Sequence, residues 1–252
     1  MKSFAYFWIT LVSLYVGGQQ PSTPYDLLIQ GGKVVDPKNN LNEVMDVAVK
    51  NGKIIKVARQ LNPQQARQVV NATGLLVCPG LIDLHGHVFY GTQDDHYLSD
   101  GFSALPPDGF TFRSGVTTIV DCGGAGWKNF PVFKKNVIDN SKTRVLSFLN
   151  IAADGMRGGN YEQDVTLMDP KMAANTAKQY KDYIVGFKLA HYMGHEWTPA
   201  DRVVEAGRQA NLPVIIDFGG AKPALSIEEL FFQHLRPGDI YTHTYAKLDG
   251  SR

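Results

Sequence analysis

Cysteine is scarce in this sequence, two in 252 residues, which excludes a small disulfide-framed scaffold. Charge of one sign is missing as well. Twenty-five Lys and Arg stand against 24 Asp and Glu, a net charge of +1, and no long basic run recommends nucleic acid or an anionic membrane surface as partner. No apolar run is long and uninterrupted enough for a comfortable membrane span. A glycine-rich phosphate turn is also absent, because Gly123-Gly124-Ala125-Gly126 leads into Trp127-Lys128-Asn129 rather than into an apolar helix. What is present is an ordinary globular composition, 44% hydrophobic, with enough length for a large core. A small-molecule substrate is the default partner, and a homo-oligomer stays open.

The first residues differ in kind from the rest. Lys2 is followed by a mainly apolar stretch over 4–16, broken only by Thr10 and Ser13, and Gly17-Gly18-Gln19 offers small residues for cleavage. Residues 1–18 therefore read as a secretory signal peptide, with a periplasmic or extracellular mature chain and an uncleaved N-terminal anchor as the alternative. The two cysteines would then meet an oxidising compartment. Cys78 precedes one expected strand, whereas Cys122 ends another, an offset of about 20 Å at roughly 3.3 Å per residue. That is beyond disulfide reach, and both are expected to be free, packed thiols.

Two regions follow. Over 25–77 come short strand-like segments at 26–30, 33–36, 46–49, 53–57 and 74–77, separated by Gly31-Gly32, Asp36-Pro37, Asn51-Gly52 and Ala72-Thr73-Gly74. Asn51-Gly52 predicts a hairpin, since a type I′ turn needs two residues that tolerate positive φ. This is a small β module. Over 78–252 the rhythm becomes strand then helix, with strands expected at 81–87, 116–122, 144–152, 184–190, 214–218 and 239–245. Helices are expected at 130–140, 171–180, 200–210 and 226–234. Such alternation implies parallel strands with right-handed crossovers, and the chemical groups gather at the strands' carboxyl ends, as in a (β/α) barrel. Six strands are found where a closed barrel needs eight.

The sharpest chemical signal is Pro79-Gly80-Leu81-Ile82-Asp83-Leu84-His85-Gly86-His87. Side chains alternate along a strand, so His85 and His87 project to one side at its carboxyl end. Two imidazoles held by a rigid strand are a metal-binding pair, because imidazole is the commonest protein ligand for zinc and its neighbours. Asp83 shares their parity and either orients an imidazole or closes a turn.

Together with the small β module, that segment resembles the amidohydrolase superfamily of metal-dependent hydrolases. Gly115-Val116-Thr117-Thr118-Ile119-Val120-Asp121, Phe148-Leu149-Asn150-Ile151, Gly186-Phe187-Lys188 and Arg236-Pro237-Gly238-Asp239-Ile240-Tyr241-Thr242-His243 look like its dihydroorotase-like amidohydrolase/deacetylase branch. The resemblance implies a TIM-type (β/α) barrel beside one half of a β-sandwich, the barrel incomplete at the C-terminus. It further implies that His85 and His87 bind one divalent metal, that Lys188 bridges two metals as a CO2-derived carbamate, and that His243 binds the second.

At the fifth strand the family most often has histidine. Here Asp217 stands, a carboxylate able to bind the same ions through oxygen, or else a hydrogen-bonded strand-end aspartate. Zinc is the expected metal, with manganese or iron also suited to these donors. The implied reaction is hydrolysis of an amide, cyclic amide or acyl-ester bond, deacetylase- or dihydroorotase-like, by a metal-bound hydroxide. The general acid/base aspartate of the family belongs to an eighth strand, beyond Arg252. The alternative is therefore a catalytically incompetent truncated chain that keeps a partial metal site. His191, His195 and Glu196, and His96 with Asp94 and Asp95, are read as loop residues with a possible substrate contact. Gly123 to Gly126 would let backbone approach the substrate.

Overall fold

The computed structural model describes residues 23–96, 100–101, 103–217 and 225–244. The expected signal peptide lies outside them, as do the last residues expected for the fifth and sixth barrel-region strands. Two compact units divide between Pro79 and Gly80. Among the described residues no helix is long and apolar enough to cross a membrane.

The N-terminal unit is a single five-stranded sheet. Its strands are β1 (Tyr25–Asp36), β2 (Leu41–Lys50), β3 (Lys53–Ala58), β4 (Ala66–Asn71) and β5 (Leu76–Val77), with β1 in the middle. β1 runs antiparallel to β2 and parallel to both β4 and β5. Gly31-Gly32 does not end a strand as expected. Gly31 takes φ 75° and the register with β2 shifts between Ile29 and Gly32, a bulge that leaves one continuous strand. β4 was not anticipated, because its Val69 and Val70 are exposed and the segment carries no alternation of burial. The hairpin at Asn51-Gly52 forms as read, with φ of 50° and 70° and Lys50 opposite Lys53.

Asp46 braces this unit. Its carboxylate is buried and accepts from Gly31 N at 2.8 Å and Leu61 N at 2.8 Å. Asp46→Ala strands two amides, at a cost of about 2 kcal/mol. Hydrogen exchange at Gly31 and Leu61 should accelerate accordingly, and unchanged protection at both would refute the assignment.

The second unit is a six-stranded parallel sheet. Its strands are β6 (Leu81–Gly86), β7 (Val116–Gly126), β8 (Arg144–Asn150), β9 (Ile184–Leu189), β10 (Val214–Ile216) and β11 (Ile240–Tyr241), laid side by side in chain order. Unbroken order is that of a (β/α) barrel arc, whereas a doubly wound sheet reverses at a switch point. Helices α1 (Phe130–Asn136), α2 (Pro170–Gln179) and α3 (Thr198–Ala210) form the crossovers. Asp169 caps α2 by accepting from Lys171 N and Met172 N, and Asn211 ends α3 in the left-handed region at φ 55°. The expected fourth helix begins as one turn, Ile227–Glu229, and continues as a π-turn over Leu230–His234. Phe130, Phe133, Ile119, Leu149 and Phe187 fill the core between sheet and helices.

Both cysteines are free. Cys122 is buried, while Cys78 is exposed rather than packed. β6 lies at one edge among the described residues, and Leu81, Ile82 and Leu84 remain more than half exposed.

Candidate metal centre

The parallel register brings the chemistry to one level. Gly86 lies opposite Asp121, Asn150 opposite Lys188, Lys188 opposite Ile215, and Ile216 opposite Tyr241. Residues at or just past those positions are His85, His87, Lys188, Asp217 and His243, and they do come together. The His85 ring centroid lies 5.4 Å from that of His87 and 5.0 Å from that of His243. Asp217 Oδ2 stands 3.1 Å from His243 Nε2 and 3.9 Å from Lys188 Nζ.

Local structure explains each placement. β11 pairs with β10 at two positions, Ile240 with Ile215 and Tyr241 with Ile216, and the strand stops at Tyr241 instead of running on. His243 therefore sits past the strand, in the left-handed region at φ 58°, not on it. Thr242 N still donates to Ile216 O at 3.0 Å, and the Thr242 hydroxyl stands 2.9 Å from His85 Nδ1. That contact engages Nδ1, so Nε2 is the nitrogen through which His85 could meet an ion. Asp83 Oδ1 accepts from His85 N at 3.0 Å, so it braces backbone instead of orienting an imidazole.

Lys188 is 1% exposed, and its Nζ has no hydrogen-bond partner. Space for it comes from Gly123, at φ 89°, where a Cβ would fall 2.6 Å from Lys188 Cγ. The glycine run thus belongs to β7 and admits the lysine, where a substrate-facing loop was expected. His87 Nδ1 is a second buried nitrogen without a partner.

Electrostatics divide the histidines. Burial, followed by Lys188 nearby, lowers His85 to about 4, so its ring is neutral at physiological pH and keeps a lone pair. Burial also lowers His87. His191 goes the other way, up to about 9, through its contacts with Asp217 and Glu162. Burial would raise the Asp217 carboxyl, but the His191 hydrogen bond and the neighbouring Lys188 and His243 hold it below the usual carboxylate value.

Three contributors escaped sequence reading. Thr242, the neighbour of His243, carries no signal that it reaches His85. Asp121 is completely buried and accepts from Val88 N at 2.8 Å, Phe89 N at 3.2 Å and Gly124 N at 2.6 Å, fixing the turn after His87. Glu162 contacts His191 across 29 residues of chain, and no local signal announces it. Other candidates lie elsewhere. Glu196 accepts from Tyr192 and Thr198 hydroxyls, His195 is exposed, and Asp94, Asp95 and His96 line a separate open hollow. A cavity of about 140 Å³ adjoins His87, bounded also by Phe89, Met156 and Arg157.

Among the described residues, no three His, Cys, Asp or Glu side chains are set closely enough to hold a metal as they stand.

No family model matches the sequence. It is 30% identical over 207 residues to a deacetylase of Agrobacterium fabrum, covering 79% of this chain and 48% of the relative. A deacetylase of Brucella anthropi is 30% identical over 209 residues, 80% of this chain and 49% of the relative. A dihydroorotase of Streptococcus pneumoniae is 51% identical over 86 residues, 34% of this chain and 20% of that one. The chain thus spans about half the length of the two deacetylases it matches. Among solved structures, a dihydroorotase aligns at TM-score 0.71 and 26% identity over 89% of this chain and 59% of the other. An adenine deaminase aligns at TM-score 0.71 and 25% identity over 86% and 56%.

Proposed function

The chain belongs to the amidohydrolase superfamily, and on that premise we propose that it is a metal-dependent hydrolase of amide, cyclic amide or acyl-ester bonds in small molecules. The observation that carries this reading is Lys188. A lysine buried to 1% exposure, whose Nζ makes no hydrogen bond and has the Asp217 carboxylate only at 3.9 Å, is poorly compensated in the metal-free chain.

Attack of its neutral Nζ on carbon dioxide forms an N–C bond, releases one proton and leaves an anionic carbamate. The donor set then becomes His85, His87, the Lys188 carbamate, Asp217 and His243, which suits two divalent ions, zinc first among them. Such ions, when bound, supply carbonyl polarisation and a water that ionises near neutral pH. The protein's own part is positioning. Thr242 holds Nδ1 of His85, Asp83 holds its backbone, and Asp121 holds the amides that follow His87. The cavity beside His87 has room for a small acyl or ring group, with Arg157 at its edge. In the same reading the six strands are part of a (β/α) barrel, the five-stranded sheet is one half of a β-sandwich, and the protein works outside the cytoplasm.

The test is elemental analysis of chain produced with zinc or manganese, followed by assays on N-acetyl amino acids, acyl hydroxy acids and cyclic amides. Bound metal and turnover of one class are expected. Asp217→Ala should lose metal, and unchanged stoichiometry removes Asp217 from the ligand set. A wild-type chain that binds neither metal overturns the proposal, while metal without turnover favours the incompetent alternative.

A further inference from the structure

We propose that Glu162 and His191 form a positioning pair that fixes the Asp217 carboxylate as a metal ligand, an inference that rests on the metal-dependent reading above. His191 Nδ1 stands 3.4 Å from Glu162 Oε1, and His191 Nε2 stands 3.4 Å from Asp217 Oδ2. Both ring nitrogens are thus spent on carboxylates, one at each end of the imidazole. The Glu162 side chain is 5% exposed although His191 is 46% exposed, so a buried anion is directed at a half-exposed ring. Burying a carboxylate is unfavourable unless it is paired, and His191 is the pairing this site provides.

The loop is shaped to deliver that ring. His191 adopts φ 53°, the left-handed region that a non-glycine residue enters only when its surroundings demand it. Gln163, next to Glu162, supplies the demand. Its Nε2 donates to His191 O at 2.8 Å, and its Oε1 accepts from Met193 N at 2.9 Å. Two consecutive residues at the end of the turn Gly159–Glu162 therefore hold the ring and the backbone of one histidine. With Oδ2 placed between His191 and His243, the Asp217 carboxylate cannot rotate freely, and the direction of Oδ1 is set. An imidazole ligand would be oriented by its second nitrogen. An aspartate at this position has no such handle, and the Glu162–His191 pair provides one from outside.

Dissociation constants for zinc and manganese, measured by chelator competition on the 252-residue chain, decide the matter. His191→Ala and Glu162→Gln are each expected to weaken binding by about 10–100-fold, the range for partners that orient a metal ligand. In an Asp217→Ala background, His191→Ala should add no further loss, because its effect passes through that carboxylate. Wild-type affinity in both His191→Ala and Glu162→Gln overturns the inference alone, as does a loss that simply multiplies with that of Asp217→Ala. A wild-type chain that binds neither metal sinks the underlying reading and the inference with it. Thermal unfolding of the metal-free variants identifies any that fails to fold, and Glu162→Gln, nearly isosteric, then carries the test.

Discussion

Lys188→Met should make the metal-free chain more stable by about 1–2 kcal/mol while removing its capacity to hold metal. Nζ is buried without a hydrogen bond, and the Asp217 Oδ2 beside it is 3.9 Å away, too far to offset desolvation well. Methionine keeps the unbranched stem that fits against Gly123 and deletes the charge. Asp217 is not orphaned by the change, since His191 and His243 remain within 3.4 Å.

Metal reverses the ranking. At one hundred times its dissociation constant, a metal ion adds about 2.7 kcal/mol to a chain that binds it and nothing to one that does not. Affinity should fall by more than about 100-fold in Lys188→Met, because an outer partner of a ligand alone accounts for about 10–100-fold. Urea unfolding with chelator and with zinc measures both halves. A variant that is less stable without metal, or that binds zinc like the wild type, defeats the assignment. So does a high-resolution density map showing a bare amine with metals bound, whereas mass spectrometry would lose the labile carbamate.

Asp121→Ala is expected to cost about 3–5 kcal/mol, since it leaves three amides without their acceptor, two of them buried. Those amides belong to Val88, Phe89 and Gly124, so the loss also loosens the turn that follows His87. Asp121→Asn should cost roughly half as much. Its one carbonyl oxygen can serve Val88 and Phe89, but its amide then meets the Gly124 N–H donor to donor. Chemical unfolding of the three proteins gives the order, and an alanine variant within 1 kcal/mol of wild type, roughly, would refute the role.

The same group sets a pH dependence. Complete burial outweighs the three donors and pushes the Asp121 carboxyl from 3.8 up to about 6. The folded value exceeds the unfolded one, so this contribution is fully present below about pH 4 and is lost as pH rises through about 6. Asp121→Asn should lack that slope.

Parts of both units could be read from local pattern. The turn at Asn51-Gly52, the helices after Asp169 and before Asn211, and the strand ending in His85 each announce themselves within a few residues. Caps, turns and burial periodicity are properties of one segment. β4 and the bulged β1 were missed for the same reason, because exposed valines carry no periodicity and a Gly-Gly pair serves a turn or a bulge equally well.

Sequence alone determined which candidate ligands stand at the strand ends: His85, His87, Lys188, Asp217 and the neighbourhood of His243. Tertiary structure decided which of their atoms face one another. Strand register set Lys188 and Asp217 at one level and brought Thr242 to His85 across 157 residues of chain. A turn after β8 brought Glu162 to His191. The physical reason is that hydrogen bonds and ion pairs act over about 3–4 Å in space and are indifferent to separation along the chain, so such partners leave no trace in local periodicity.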